Sequence, residues 1–488
     1  MRASKSKTGG RSAPQTVSAR LSGYVVLEAN PDGKITARFG DHSVGLGTFS
    51  ARVADRVQML RTGLPLVSFA SASRPGDKEV SALVRQLAWH GLLEYCVAGL
   101  RDDDQAVIEP QVFDYWPATP PLNDADVLVL SRFAYLRRRG NELVLESPRA
   151  GALFRICDPK IAATIAALST PRQLGQFRRQ DGFPGLELLA LLVDCRILLQ
   201  IDDVGRGRRS AEGDGNLVLW DFHDLLFHTR SSEGRHANPL GGLYLNADVM
   251  PAPAAVRPRW PGRKIDLRKF SGPQSRRMPP VARLLRKRQS TRSFDARKTI
   301  TLAELSQFLD SAARVLPIAK NKAHPGDDSG LADFAARPYP SAGASYELEL
   351  YLAIDKCVGL PRGFYHYDAG GHALMLVGAP TREFEALLAG AKTAMDAPAA
   401  PQILITIAAR FGRMSWKYSS LAYALILKDV GVLTQTFYLT ATEMGLGGCA
   451  IGTANIDLFA RMTGIEFHVE GPVGQFALGR GARSKAAD

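Results

Sequence analysis

The stretch LAYALILKDVGVLTQTFYLTATEMGLGGCAIG, residues 421–452, decides how the chain is read. From about Leu421 to Met444 the apolar residues run nearly all round a helical wheel. Such a helix belongs in a core or a subunit interface rather than on a surface. Its exit carries Gly445, Gly447 and Ala450, a near match to the dinucleotide fingerprint. A Rossmann loop needs a strand before the first glycine, and here a helix precedes it. What remains is a glycine-rich helix exit whose amides line one face of a flat ligand.

The same helix is no membrane span. Its longest uncharged stretch, Val430 to Thr442, carries Thr434, Gln435 and Thr436 and falls short of the ~18–20 apolar residues a crossing needs. The chain has 488 residues, 45% hydrophobic and 22% charged, a soluble globular composition. Length suggests about two to four domains. Lys+Arg 61 against Asp+Glu 48 leaves +13, which suits an anionic partner: nucleic acid, a phosphorylated cofactor or an acidic peptide. Cys96, Cys157, Cys195, Cys357 and Cys449 are scattered with no C-x-x-C pair, which argues against structural zinc and a disulfide framework and for a reducing cytoplasm. The basic, Ser/Gly-rich start has no apolar core and reads as a disordered tail over 1–20, not a secretory signal.

Working outward from the helix, strands are expected at 346–354, 403–411 and 473–481, within an α+β domain spanning 280–488. LLRKRQSTRSF sets Arg288, Ser290 and Arg292 at alternate positions, so an extended or turn segment aims all three to one side, where they could hold a phosphate or the electron-rich edge of a flavin. PYPSAGASY is a small-residue turn that lets a planar ligand approach the backbone. ALGRGAR places Arg480 and Arg483 just past the last strand, where they could clamp a phosphate dianion.

The first half reads as one unit written twice, at 21–98 and 129–202. Each copy is a β-hairpin followed by short helices, the last running into a strand, the outline of a winged-helix module. The bends fall at Pro31–Gly33 and Gly140–Asn141. Segments 99–128 and 203–279 read as linkers, the second with a charged, Gly-rich run and a Pro-rich one. Arg137, Arg138 and Arg139 could touch DNA phosphates, or the module could offer a strand edge to a peptide, or serve as scaffold. His223, Asp224, His228 and His236 invite a metal, but histidines five apart miss the i, i+4 spacing of one helix face, so no metal site is assigned.

The order of these segments resembles the FMN-dependent nitroreductase fold, and more narrowly the SagB-type azoline dehydrogenases, which build thiazole and oxazole rings in ribosomally made peptides. The resemblance covers 280–488 and extends more loosely to Trp220–His228 and the paired N-terminal modules. It implies a flavin start at Arg288, Ser290 and Arg292, a flavin-facing loop at Ser341, Gly343 and Ser345, a loop over the ring at Gly447 and Gly448, and a phosphate end at Arg480. Lys417–Tyr418, in SWKYSSLAY, matches the family's catalytic Lys-Tyr pair. Gln289 and Ala344 depart from the pattern, where relatives often carry arginine and glycine. The resemblance further implies FMN, a homodimer with two flavins at its interface, a precursor peptide as substrate and a cyclodehydratase complex as partner.

Oxidising an azoline removes a proton and a hydride from adjacent ring carbons. Flavin takes the hydride, so a protein group must take the proton. An amine serves only when neutral, and burial or the cations Arg410 and Arg413 could favour that form of Lys417. Tyr418 is the alternative base, or a group that orients the ring. Neighbouring helical residues point ~100° apart, so both reach one pocket only from the helix entry, which Ser419–Ser420 would suit. Two other readings stay open: a general NAD(P)H-dependent nitro or quinone reductase, and a flavin-sensing winged-helix DNA-binding regulator.

Overall fold

A computed structural model describes residues 17–98 (apart from 41, 51–52, 54–58 and 71–74), 104–201 (apart from 181), 212–232, 279–317 and 335–482, with isolated positions between 247 and 266. Most of the basic tail, residues 202–211, most of 233–278 with His236, and Arg483 lie outside the described residues. The chain divides into two compact units, Met1–Arg230 with Gly234–Ala237, and Asn238–Asp488 with Ser231–Glu233.

In the first unit the strands are β1 (Val17–Leu21), β2 (Val26–Ala29), β3 (Lys34–Phe39), β4 (His42–Thr48), β5 (Leu64–Pro65), β6 (Leu93–Ala98), β7 (Asp104–Pro110), β8 (Val127–Leu130), β9 (Tyr135–Arg139), β10 (Glu142–Glu146), β11 (Ala152–Ile156), β12 (Arg172–Gln173) and β13 (Leu198–Ile201). Residues 17–20, read as tail, open β1 instead. The hairpins bend where Gly33 and Gly140 supply φ of 81° and 59°. The helix Pro75–Trp89 buries Val80, Leu83, Val84 and Leu87, the face its spacing sets out.

The two N-terminal copies are not separate. Seven strands pair in the order β5-β1-β6-β7-β11-β10-β9. β7 comes from the stretch read as a linker, and its Ile108 stands opposite Tyr95 of β6 on one side and Phe154 of β11 on the other. The run A-V-I within β7 is buried because it is a central strand. Helices from both copies share one core, with Leu83 and Leu87 in the same cluster as Ile161, Leu188 and Leu192.

The second unit is a six-stranded antiparallel sheet: β14 (Leu348–Ile354), β15 (Gly363–Asp368), β16 (Ala373–Gly378), β17 (Ile403–Arg410), β18 (Gly447–Ile451) and β19 (Glu470–Gly479), ordered β16-β15-β14-β17-β19-β18. Every residue of β17 except Arg410 is buried, as the apolar run ILITIAA requires of a central strand. The helix Leu302–Ala313 starts with a capping box between Thr301 and Glu304. Its Phe308 packs on Phe437 of the long helix Ala422–Glu443, and Phe437 packs on Phe476 of β19, with centroids 5.2 and 5.4 Å apart. The long helix is not enclosed all round. Tyr423, Ile426, Asp429, Leu433, Phe437 and Ala441 are buried, while Lys428, Gly431, Val432 and Gln435 stay exposed.

One buried amide ties the start of this unit to its last strand. Gln402 Oε1 accepts from Ile300 N–H and Arg480 N–H, both at 3.0 Å, and its Nε2 donates to the carbonyls of Asp295 at 2.7 Å and Lys298 at 3.1 Å. That uses the full capacity of a glutamine amide. Replacing it with methionine keeps the volume and strands these groups, so Gln402→Met should cost about 2–3 kcal/mol in a denaturant melt of the full chain.

Candidate functional site

Of the extended and turn forms left open for the R-x-S-x-R segment, the structure has the extended one, bridged at Ser290 to a strand. Helix Pro280–Lys287 closes with Arg288 N–H on the Leu284 carbonyl at 2.8 Å. Ser290 then bridges in parallel to Gly448, and Thr291 N–H donates to the Gly448 carbonyl at 2.8 Å. Gly447 and Gly448 therefore sit in β18 rather than in a loop, a correction with a packing cause. A Cβ on Gly447 would lie 2.6 Å from Thr291 Cγ2, and one on Gly448 would lie 2.4 Å from Phe476 Cζ. The glycines allow the segment and the core ring to close on the strand.

Tyr438 of the long helix joins this cluster. Its hydroxyl accepts from Ala450 N–H and meets Ser290 Oγ, both at 2.8 Å, while the Arg288 guanidinium stands 5.1 Å from its ring centroid. Arg292 is exposed. Arg480 points elsewhere than its sequence setting suggested: its Nη2 pairs with Glu304 Oε1 at 2.5 Å. Cys449, between these groups, has its thiol pushed up by burial, which leaves it a packing residue.

A second cluster forms around the 341–346 loop. Gly343 has φ 56° and ψ 26°, and its carbonyl accepts from Lys417 Nζ at 3.2 Å. A Cβ there would lie 2.4 Å from the Tyr418 hydroxyl and 2.8 Å from Lys417 Nζ. The two residues thus converge on Gly343. They do so because they lie in the turn between the short helix Phe411–Ser415 and the long helix, with both N–H groups on the Met414 carbonyl. The entry is not capped by serine, however: the N-cap is Leu421, and Ser420 has φ 61°. Lys417 is exposed and Tyr418 half-buried. Ser345 is buried, and its carbonyl accepts from Arg413 Nε.

Behind the loop are two buried acids that the sequence reading missed. Asp429 Oδ2 accepts from Ala342 N–H at 2.9 Å and lies 2.9 Å from Ser341 Oγ; Glu347 Oε2 is 3.2 Å from the same hydroxyl. An acid inside an otherwise apolar helix was the available signal for Asp429. Tyr438 had none, since an aromatic in such a helix reads as core.

In the first unit, Arg137 pairs with Glu146 at 2.6 Å, and Arg139 with Glu109 at 2.7 Å and Glu142 at 2.9 Å. Two of the three arginines considered for DNA are therefore committed to carboxylates. Candidate ligand atoms of Asp221, His223 and Asp224 lie within 4.8 Å of one another, with His223 Nε2 3.3 Å from Asp224 Oδ1. His228 is buried and stacks on Trp220. Among the described residues no helix is long and apolar enough to cross a membrane.

Two family profiles match the chain: cyanobactin oxidase ThcOx over residues 128–237, and the nitroreductase family over 285–480. A candidate nitroreductase from Methanocaldococcus jannaschii is 32% identical over 169 residues, 35% of this chain and 76% of that protein. Among solved structures, a candidate nitroreductase from Ralstonia eutropha aligns with 24% identity, covering 44% of this chain and 88% of that one, with a TM-score of 0.32. The E. coli microcin synthetase McbBCD complex, with truncated pro-MccB17 bound, aligns with 17% identity over 55% of this chain and 97% of that one, with a TM-score of 0.39. At such scores the family assignment rests on the sequence matches.

The contact between Gly343 and the Lys417–Tyr418 turn yields a direct test. Gly343→Ala forces a side chain into left-handed backbone and into the Tyr418 hydroxyl. It should lower stability by about 1–2 kcal/mol in thermal denaturation, with the Tyr418 ring displaced.

Proposed function

The chain belongs to the nitroreductase family, and from that premise we propose that it is an FMN-dependent dehydrogenase of the SagB type, oxidising thiazoline or oxazoline rings in a ribosomally made peptide to the aromatic azoles. The observation that carries this reading is the cyanobactin oxidase profile at 128–237, standing upstream of the nitroreductase profile at 285–480. A general nitro or quinone reductase gives no reason for that first match. The convergence of Lys417 and Tyr418 on Gly343 supports the same reading from the side of the chemistry.

The donor set fits a flavin mononucleotide. Arg288 and Arg292 flank the Ser290 hydroxyl on one extended segment, a suitable grip for a phosphate. Gly343 presents backbone where a Cβ would fill the space beside the catalytic pair. Arg480, held by Glu304, would contribute its charge at a distance unless that pair opens. Bound FMN would supply the hydride acceptor.

The chain's own part is the proton. Lys417 is oriented by the Gly343 carbonyl, which takes one ammonium hydrogen and fixes the direction of the nitrogen. In the neutral form that nitrogen accepts the proton from the ring carbon next to the one losing hydride. Tyr418, whose ring centroid is 5.7 Å from Lys417 Nζ, lines the same space and can hold the ring heteroatom by its hydroxyl.

The two clusters hang on opposite sides of the long helix. Asp429 and Tyr438 are nine residues apart, about two and a half turns. A homodimer, in which the exposed helix face meets a second copy, would bring the 341–346 loop of one protomer toward the 288–292 segment of the other. The first unit would receive the precursor peptide or dock the cyclodehydratase in the cytoplasm.

Incubating the purified full chain with a cyclised azoline peptide should remove the mass of two hydrogens per ring, read by mass spectrometry. Lys417→Ala should slow this by ~10²–10⁴-fold while the protein stays yellow. Flavin reduced by NADPH but never by the azoline peptide would instead assign a general reductase.

A further inference from the structure

The 341–346 loop is held in a conformation its sequence does not favour. Gly343, Ala344 and Tyr346 have φ of 56°, 52° and 46°. Two of the three carry a Cβ, and such residues stay left-handed only where their surroundings hold them there. The holding groups are those buried behind the loop. Asp429 Oδ2 takes Ala342 N–H and faces Ser341 Oγ, each at 2.9 Å, and Ser341 Oγ accepts Tyr346 N–H at 2.9 Å. Glu347, fully buried, closes the cluster from the start of β14. The same loop carries the Gly343 carbonyl that receives Lys417.

We propose that the Asp429–Glu347 pair is a positioning device, which fixes the 341–346 loop in its turn and thereby sets where the Lys417 amine stands. The catalytic meaning of that position rests on the azoline reading above; the clamp itself does not.

The pair also gives the clamp a pH dependence. Burial, reinforced by the Asp429 charge, pushes the Glu347 carboxyl up to about 7. Its own backbone N–H and the Ser341 hydroxyl offset this only in part, and among the described residues its Oε1 has no hydrogen-bond partner. The charged groups around it do not cancel this. Arg337 is turned to the Leu348 carbonyl at 3.2 Å and to Glu349 at 4.0 Å, and Arg410 gives Glu347 only its backbone N–H, at 2.9 Å. Burial pushes the neighbouring Tyr339 hydroxyl up and keeps it neutral, and Arg413 binds the Ser345 carbonyl. The folded chain thus keeps a proton that an unfolded glutamate loses near ~4.3. The stabilisation is complete below that value, declines as pH rises between the two, and is gone above about 7, where two carboxylates face each other.

The test reads Lys417 directly. The purified full chain is labelled briefly with an amine-reactive ester, and labelling of Lys417 is compared by mass spectrometry with that of Lys428, an exposed lysine on the long helix that carries Asp429. The ratio cancels the reagent's own pH dependence. It should rise severalfold in wild type between pH 6 and pH 8.5 and stay flat in Glu347→Gln, which keeps the hydrogen bonds without the titration. Asp429→Asn should raise the ratio roughly tenfold at pH 6, the size of one lost charge-assisted hydrogen bond. A purely structural role would shift melting temperature alone and leave the pH profile identical in wild type and Glu347→Gln. That identity, or a flat wild-type ratio, overturns the proposal even if the Asp429 variant fails to fold. Labelling that responds as expected in a protein inert toward azoline peptides would keep the clamp and discard the azoline reading.

Discussion

The second unit is organised by what one helix can reach. Ala422–Glu443 is pinned near its start by Asp429 under the 341–346 loop, and near its end by Tyr438 against Ser290 and Ala450. Two and a half turns separate the pins, so their directions oppose. Between them, Leu433 and Phe437 anchor the helix on the core through Phe308 and Phe476. Neither cluster can move without the helix, and the helix cannot rotate without breaking both. The face left over is mixed, with Lys428, Gly431, Val432 and Gln435 exposed.

Local rules are broken on purpose around these pins. Gly447 and Gly448 stand inside a strand, where glycine weakens the element, because Thr291 and Phe476 occupy the space a Cβ would need. Ala344, Tyr346 and Ser420 are left-handed without being glycine. Two acids are buried within reach of one hydroxyl. Each is costly alone, and all sit within one or two residues of a cluster member. That is the pattern expected where sequence serves a site rather than stability.

The elements legible in the sequence were those with a strong period or a clear breaker. β14, β17 and β19, the Pro75–Trp89 face, and the bends at Gly33 and Gly140 fall where they were read. What escaped was set by pairing across long separations. β7 carries an ordinary strand pattern, but only its two neighbours, β6 and β11, make it the middle of one sheet rather than a linker. β18 was hidden by its own glycines, which spell a loop until Thr291 and Phe476 are seen against them. The convergence of Lys417 and Tyr418 depended on where the helix begins, and Ser419–Ser420 pointed to the right place for the wrong reason, since neither serves as the N-cap.

Charge follows the same logic. A surplus of +13 reads as a free electropositive surface. In the first unit, however, Arg20, Arg137, Arg139, Arg149 and Arg155 all pair with carboxylates, so much of that charge is spent inside the fold. Arg480 is spent on Glu304 in the same way. Arg288 and Arg292 differ: the first rests on the Tyr438 ring, the second is exposed, and neither is ion-paired among the described residues. A guanidinium on an aromatic face keeps most of its hydrogen-bonding capacity, whereas one bound to a carboxylate has used it. Arg288 and Arg292 therefore keep donors that Arg137, Arg139 and Arg480 have already committed to carboxylates.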